Sequence, residues 1–354
     1  MNKTPRVSVF LVMLVIFTLG MVVPVFAQKS DSNITLLGSG ATFPAPFYSK
    51  IFDVYASTKG VKVNYQAIGS SGGLKNIMDK VVDFGGSDSF VKNADFAKYS
   101  APIVHIPTVI GAVVLTYNLP GVTNLRMTGE VIADIYLGKI SRWDDAKIAA
   151  LNPTVKLPKM AIMPVYRSDG SGTTFNFTAY LAAISKEWKE KVGNANSVNW
   201  QAGQGAAQNA GVAAVVQQTP GSIGYVELAY ANQNKMPVIS IKNAAGNWIE
   251  PNLNSISKAA AINLPADTRI LLANTQASEG YPICALTWII VYKEQNYSGR
   301  TLQQARELVN LLSWIVRDGQ KYANALDYAT LPDQAVKTAE AVIKSITYDG
   351  KPIL

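Results

Sequence analysis

The sequence of 354 residues is poor in the side chains that build metal centres and disulfide frameworks. Cysteine and histidine occur once each, as Cys284 and His105. One cysteine cannot form an internal disulfide, so a small disulfide-stapled fold is excluded. One cysteine and one histidine cannot supply the usual ligand sets of zinc or copper, so we expect no metal site. Both residues lie in apolar runs, "PICALTWIIVY" and "APIVHIPTVI", and we expect both side chains to be buried.

Basic tracts and nucleotide-binding motifs are also missing. The formal net charge is +8, from 32 lysines and arginines against 24 aspartates and glutamates. The cations are scattered singly, which is typical of solvated faces and predicts no nucleic-acid partner. A mild positive field favours the approach of a small anion. The sequence contains neither a Walker phosphate loop nor a dinucleotide fingerprint, so we expect no cofactor.

Long apolar runs are confined to the first residues. Lys3 and Arg6 precede the apolar run "VFLVMLVIFTLGMVVPVF", and a small residue, Ala27, follows it directly. This pattern predicts a secretory signal peptide over residues 1–27. A glycine and a proline interrupt the run and no basic cluster follows it, which disfavours a membrane anchor. We therefore expect an exported, soluble chain that begins at residue 28.

The rest of the chain alternates strand-like and helix-like segments, which favours an α/β fold. Two longer β-rich runs connect two predicted α/β lobes. The chain is predicted to cross from the first lobe to the second along 107–118 and to return along 284–293. The predicted boundaries are therefore 28–110 with 285–354 for lobe I, and 111–284 for lobe II. One helix of lobe II is expected to continue through Trp188.

Three turns rich in small residues follow predicted strands: "GSGATFP", "GSSGG" and "RSDGSGTT". Serine and threonine cap helices and glycine makes tight turns, so each turn has a purely structural interpretation. Helix N-termini also bind anions, because their N–H groups are unpaired and carry the positive end of the helix dipole. In open α/β sheets such turns lie beyond the carboxyl ends of the strands, where ligands bind. The two interpretations stay open for each turn by itself.

Charged residues in one of these turns and in a further segment, "FGGSDSF", favour an anion site. Arg167 has a planar fork that suits a tetrahedral oxyanion, and Asp169 could hold it in position, although a surface ion pair is the simpler alternative. Asp88, in "FGGSDSF", is either a capping residue or a ligand. A carboxylate repels an anion unless the anion has a proton to donate. Phosphate has such a proton near neutral pH and sulfate has none, so a buried Asp88 would select phosphate.

An enzyme is the weaker hypothesis. "GSSGG" fits the Gly-x-Ser-x-Gly elbow with Ser71 as the nucleophile, but the only histidine, His105, lies in an apolar run. No metal set or nucleophile–base pair is evident. We therefore expect a binding protein without catalytic residues.

Seven segments in fixed order carry a family resemblance. They are "GSGATFPAPFYSKIF", "VNYQAIGSSGGLKNI", "DFGGSDSF", "PTVIGAVVLTYN", "IADIYLGKISRWDD", "RSDGSGTTFNFTAYL" and "PGSIGYVELAYA", and "NALDYATLPDQAV" follows them. Together they resemble the periplasmic phosphate-binding proteins of bacterial high-affinity phosphate ABC transporters. The resemblance implies a two-lobed type II periplasmic-binding-protein fold with two crossover hinge strands and a central cleft. It also implies a monomeric periplasmic receptor that delivers phosphate to an inner-membrane ABC permease.

The resemblance further implies a set of phosphate ligands from both lobes. In this sequence the matching positions are Ala41, Thr42, Phe43, Ser70, Asp88, Arg167, Ser171, Gly172 and Thr173, and Asp169 matches the residue that orients the arginine. One segment departs from the family pattern: "AGQGAAQNAG" lacks the lysine and the acidic residue of a glycine-rich loop, which puts the structure of loop 203–211 in doubt. Receptors for sulfate or molybdate, and a surface scaffold that retains the fold, remain the alternatives.

Overall fold

The computed structural model describes residues 34–354 together with Met1. The predicted signal peptide therefore lies outside the described residues, apart from its first residue. The chain divides into two compact units, and the second, Ser32–Leu354, contains all the elements below. No helix among the described residues has the length and apolar character needed to cross a membrane.

Strands and helices alternate as the residue patterns predict. The strands are β1 (Thr35–Gly40), β2 (Lys62–Ala67), β3 (Phe84–Ser87), β4 (Ile103–Tyr117), β5 (Arg126–Met127), β6 (Met163–Arg167), β7 (Gln204–Ala206), β8 (Ser222–Glu227), β9 (Ser240–Lys242), β10 (Trp248–Ile249), β11 (Cys284–Tyr292), β12 (Thr347–Tyr348) and β13 (Lys351–Pro352). The helices are α1 (Ala45–Lys59), α2 (Ser70–Met78), α3 (Gly129–Tyr136), α4 (Ala146–Leu151), α5 (Gly172–Ile184), α6 (Lys186–Lys191), α7 (Gln208–Gln218), α8 (Leu228–Gln233), α9 (Leu253–Ala259), α10 (Leu302–Val316) and α11 (Asp333–Lys344). Three short 3₁₀ segments complete the description: Asn93–Lys98, Asp318–Tyr322 and Asn324–Leu326.

One eight-stranded sheet runs through the unit in the order β2-β1-β3-β11-β4-β8-β6-β7. Strands β1, β2 and β3 form a parallel group that we call the first half, and β6, β7 and β8 form a second parallel group, the second half. The long strands β4 and β11 lie antiparallel between them. Strand β4 pairs with β11 along Ile103–Ala112 and with β8 along Val113–Tyr117, so it passes from one half to the other. The predicted α/β fold with two crossover strands is confirmed.

The parallel strands of each half bring their carboxyl ends to one side of the sheet, and short turns lead from there into helices. In the first half, turns follow β1, β2 and β3, and two of them lead into α1 and α2. In the second half, β6 and β7 lead into α5 and α7. We call the region where the turns of the two halves meet the cleft. This topology places "GSGATFP", "GSSGG" and "RSDGSGTT" beside one another.

The expected helix through Trp188 is wrong. Helix α5 ends at Ile184, and Ser185 has an extended backbone with φ −114° and ψ 114°. Its side-chain oxygen accepts a hydrogen bond from the amide of Trp188 and begins a second helix, α6. Serine favours such an N-cap over a helix interior, because its hydroxyl satisfies an amide that would otherwise be unpaired.

The lone histidine and the lone cysteine are buried, as expected. The Nε2 atom of His105 accepts a hydrogen bond from the Val91 amide at 3.1 Å. Burial lowers the pKa of His105 to about 3, so the ring is neutral at physiological pH. The thiol of Cys284 contacts the carbonyl of Tyr281, and burial raises its pKa. Both side chains belong to the core and not to the cleft.

Candidate anion-binding site

The turn after β1 presents backbone groups to the cleft. Gly40 has a φ of +142°, and a Cβ atom there would lie 2.0 Å from the carbonyl oxygen of Gly86, so only glycine fits. The amide of Ala41 donates to that same carbonyl at 2.9 Å. Among the described residues, the next two amides, of Thr42 and Phe43, have no protein acceptor. The turn therefore leaves these two donors free for a ligand, while the Ala41 amide holds the turn to β3.

Asp88 follows β3 and is only 1% exposed. Its Oδ1 atom accepts a hydrogen bond from the Thr287 hydroxyl at 2.8 Å, and its Oδ2 atom lies 3.4 Å from the hydroxyl of Ser70. Burial raises the pKa of Asp88 to about 7, and the hydrogen bond from Thr287, the charge of Arg167 and the Ser70 hydroxyl oppose that rise only in part. Asp88 is therefore a buried acceptor that can hold a proton near neutral pH.

Arg167 ends β6 and faces the cleft with 3% exposure. Its Nε atom donates to Oδ1 of Asp169 at 2.7 Å, and its Nη2 atom donates to Oδ2 of the same carboxylate. Burial would raise the pKa of Asp169, but the hydrogen bonds and charge of Arg167, with the Gln208 amide, outweigh it and hold the pKa below its usual value. Asp169 therefore stays ionised and fixes the plane of the guanidinium.

The segment after Asp169 caps a helix and also faces the cleft. The hydroxyl of Ser171 accepts a hydrogen bond from the Thr174 amide at 3.0 Å, so the capping interpretation holds for this residue. The next two residues, Gly172 and Thr173, form the first turn of α5, where amides lack partners within the helix. The capping role and the anion role are therefore compatible in one stretch.

The two halves touch each other at this point. The amide of Gly172 donates to the hydroxyl of Ser70 at 3.0 Å, and the Ser71 amide donates to the carbonyl of Gly170 at 3.0 Å. A Cβ atom on Gly172 would lie 2.5 Å from the Ser70 oxygen and 2.7 Å from Oδ2 of Asp88. Glycine is therefore required at position 172 for this closed arrangement.

Sequence reasoning missed Asn209, a buried residue of α7. Its Nδ2 atom donates to the hydroxyl oxygen of Thr42 at 2.9 Å and to that of Thr173 at 3.3 Å. Arg167 also donates to the Thr173 oxygen, at 3.2 Å. Because these hydroxyl oxygens already accept hydrogen bonds, their own protons remain available for an acceptor in the cleft. Asn209 thus sets the direction in which two threonines from opposite halves can donate.

Thr287 was also missed by sequence reasoning. It lies in the middle of the buried strand β11 and is 0% exposed. The available signal was a hydroxyl residue inside the otherwise apolar run "CALTWIIVY". For Asn209 the signal was weaker, because the residue lies in the loop whose sequence departs from the family pattern. Neither signal indicates the partner, which lies elsewhere in the chain.

The structure brings all the predicted site residues into the cleft. Contacts join Thr42 to Thr173 through Asn209, and join Ser70, Asp88 and Gly172 directly. The result is a group of amide, hydroxyl and guanidinium donors together with the buried carboxylate of Asp88. The described residues contain no group of three or more histidine, cysteine or acidic side chains that could hold a metal ion. This arrangement is suited to an anion that also carries a proton, and the role of each residue as a ligand stays a prediction.

Comparisons with known proteins identify the family of the chain. The family model of the PBP superfamily domain matches residues 27–318. A phosphate-binding protein PstS of Xylella fastidiosa is 42% identical over 320 residues, which cover 89% of this chain and 86% of that protein. A PstS of Pasteurella multocida is 40% identical over 336 residues, covering 93% of this chain and 95% of that protein.

Solved structures share the fold at lower identity. A high-affinity periplasmic phosphate-binding protein, PfluDING, bound with phosphate at pH 8.5, has a TM-score of 0.69 and 20% identity, covering 87% of this chain and 93% of its own. A phosphate-binding protein from Stenotrophomonas maltophilia has a TM-score of 0.66 and 18% identity, with coverage of 87% and 93%. The chain belongs to the PBP superfamily and, within it, to the family of the PstS phosphate-binding proteins.

Proposed function

We propose that this protein is an exported receptor that captures inorganic phosphate in the cleft and delivers it to an ABC permease in the inner membrane. It acts in the periplasm as a monomer, after removal of residues 1–27, and performs no catalysis. Residues 28–110 with 285–354 form lobe I, and residues 111–284 form lobe II. The relatives that bear the PstS name are called phosphate-binding proteins, which supports this function.

The environment of Asp88 carries the proposal. It is a 1% exposed carboxylate that accepts from the Thr287 hydroxyl and lies 3.4 Å from the Ser70 hydroxyl, and the other groups proposed to face the anion are donors. An anion that enters this site meets both kinds of partner, so it must accept several hydrogen bonds and donate one. Phosphate at neutral pH does both, whereas sulfate can only accept. Sulfate leaves an ionised Asp88 buried without a proton to accept, so the site disfavours sulfate, and more strongly as the pH rises above the pKa of Asp88.

The remaining ligands follow from the donors at the cleft. Arg167 supplies a fixed guanidinium, and Thr42 and Thr173 supply hydroxyl protons that Asn209 leaves free. The backbone amides of Thr42, Phe43 and Thr173, with the hydroxyls of Ser70 and Ser171, complete the proposed phosphate shell. Ala41 and Gly172 line the shell, and their own amides hold it in shape through bonds to Gly86 and Ser70. Arg167 is the one cationic member of the proposed shell, and its other donors are neutral.

Delivery depends on the contact between the halves. Bonds from Gly172 to Ser70, and from the Asn176 side chain to the carbonyl of Asp88 at 2.7 Å, exist only while the halves are together. A ligand that bridges both halves stabilises this closed state and shifts the population toward it. A permease that recognises a surface formed by both lobes would therefore distinguish the loaded receptor from the empty one.

The test is calorimetric titration of residues 28–354 with phosphate, and separately with sulfate, near pH 8. We expect tight one-to-one binding of phosphate and much weaker binding of sulfate. Arg167→Ala should weaken phosphate binding at least about 100-fold, because it leaves the anion and Asp169 without their buried cation. Arg142→Ala is the matched control, since Arg142 pairs with Asp144 two residues on, but at the surface.

Two outcomes would overturn the proposal. Binding of sulfate without phosphate would favour a receptor for a fully ionised oxyanion. No binding of either anion by folded protein, washed free of phosphate by partial unfolding and refolding, would favour a scaffold that has retained the fold.

A further inference from the structure

Gln208 has a backbone conformation that its residue type disfavours. Its φ is +65°, in the left-handed region that glycine adopts readily and a residue with a long side chain adopts rarely. Gln208 is the first residue of α7, in the segment 203–211 whose sequence departs from the family pattern and which the structure forms as β7 and the start of α7. Backbone strain of this kind persists only where the surroundings impose it, so contacts of Gln208 hold the residue in this conformation.

Those contacts connect the arginine of the site to the opposite half. The backbone amide of Gln208 donates to Oδ1 of Asp169 at 2.9 Å, the same oxygen that receives Nε of Arg167. Its side-chain Nε2 atom donates to the carbonyl oxygen of Ala67 at 2.9 Å. Ala67 ends β2 of the first half and lies three residues before Ser70. One residue of the second half therefore holds the partner of Arg167 and also bonds to the first half.

We propose that Gln208 is a latch that slows phosphate release by holding the two halves together. The inference rests on the proposed function, because it assigns the residue a role in the lifetime of the phosphate complex. The side-chain bond to Ala67 exists only in the closed state, so it stabilises that state and not the open one. Gln208 does not touch the proposed phosphate shell directly, and acts through Asp169 and through closure as a positioning residue.

The latch predicts a specific kinetic effect. Loss of one hydrogen bond between neutral groups should speed phosphate dissociation by about 2- to 12-fold. The association rate should change less, because the latch forms after phosphate has entered the open cleft. A merely structural role would instead lower thermal stability and leave the dissociation rate unchanged.

The experiment compares dissociation of radiolabelled phosphate from residues 28–354 and from Gln208→Met, by rapid filtration after a chase with unlabelled phosphate. Methionine has the length of glutamine but no amide to donate. The variant therefore removes the hydrogen bond to Ala67, while the bulk of the side chain and the demand for a positive φ stay the same. Gln217→Met is the matched control: Gln217 is on the same helix, and its amide donates to the carbonyl of Asn234 at 3.1 Å within the second half. If Gln208→Met does not fold, Gln208→Asn serves, because asparagine tolerates this φ but is too short to reach Ala67.

The outcomes separate the latch from the proposed function. Faster dissociation from the Gln208 variant, with the Gln217 variant unchanged, supports the latch. If the unaltered chain retains phosphate and the Gln208 variant releases it at the same rate, the latch is wrong and the proposed function stands. If the unaltered chain retains no phosphate, both proposals fail.

Discussion

Asp88 and Asp169 are two aspartates of the same cleft with opposite electrostatic character. Asp88 is 1% exposed, and its hydrogen bonds come from neutral groups, so burial raises its pKa to about 7. Asp169 keeps 19% of its side chain exposed and forms two bonds with the Arg167 guanidinium, so its pKa lies below the usual value although burial opposes this. The same residue type is thus a proton-sensitive acceptor in one half and a permanent counter-ion in the other.

The difference shows how a binding site divides two tasks between carboxylates. Asp169 neutralises and orients a buried cation, and a hydrogen-bonded ion pair does this without contacting the ligand. Asp88 has no such cation of its own, so its negative charge is costly until a ligand offers a proton. Substitutions that remove only the charge of each aspartate should therefore have different consequences.

The largest expected effect is on selectivity. Asp88→Asn replaces an acceptor with an amide that can also donate, so phosphate loses a charged acceptor while sulfate no longer meets an unpaired carboxylate. We expect the ratio of phosphate to sulfate affinity near pH 8 to fall at least about 100-fold. Calorimetric titration with each anion measures this ratio.

Asp95→Asn is the control for that selectivity. Asp95 pairs with Lys98 at the surface and its side chain is 41% exposed, so its loss should leave the ratio unchanged. An unchanged ratio in Asp88→Asn would show that Asp88 does not face the ligand.

The second effect is on stability. Asp169→Asn leaves the guanidinium of Arg167 buried without its counter-ion, and we expect the free energy of unfolding to fall by about 2 kcal/mol, or about 30-fold in the unfolding equilibrium. Denaturant unfolding of the phosphate-free chain measures it. Asp144→Asn, which breaks the exposed pair with Arg142, should cost less than about 1 kcal/mol.

In the same assay at pH 8, Asp88→Asn should not lower the free energy of unfolding, in contrast to Asp169→Asn. A carboxyl whose pKa is raised on folding contributes stability below its unfolded pKa and loses it as the pH rises through its folded pKa. At pH 8 the carboxylate of Asp88 is therefore a cost to the folded state, and replacing it should not lower stability. A large loss of stability in Asp88→Asn would contradict this assignment.

The smallest effect, counted for one pH unit, is a pH dependence of sulfate binding. Sulfate fits the site when Asp88 is protonated, so its affinity should rise about tenfold for each unit as the pH falls from 9 toward 7. The rise levels off at the pKa that Asp88 has in the free protein. Titrations in Asp88→Asn should show no such slope, and a slope that survives in this variant would place the titrating group elsewhere.

Much of the cleft could be predicted from the sequence because its chemistry is local. Gly40 and Gly172 occur in turns of small residues, and Arg167 lies two residues before the aspartate that it pairs with. The periodic apolar runs identified the alternating strands and helices and the two crossover strands. The helix through Trp188 was wrong because a capping serine was read as part of a helix. Local patterns thus predicted the parts of the site but misplaced one boundary.

What only the tertiary structure decided is how buried polar groups are paired. Three hydrogen bonds of the cleft join residues that are far apart in the sequence. The separations are 102 residues for Gly172 and Ser70, 167 for Asn209 and Thr42, and 199 for Thr287 and Asp88. Each pair forms because the sheet order brings distant strand ends together, and no local pattern encodes that order. The sequence by itself determined which turns could hold an anion and which residue could orient the arginine. The fold decided that Asp88 is buried beside a hydroxyl and away from a cation of its own, because burial and distance are properties of the assembled sheet.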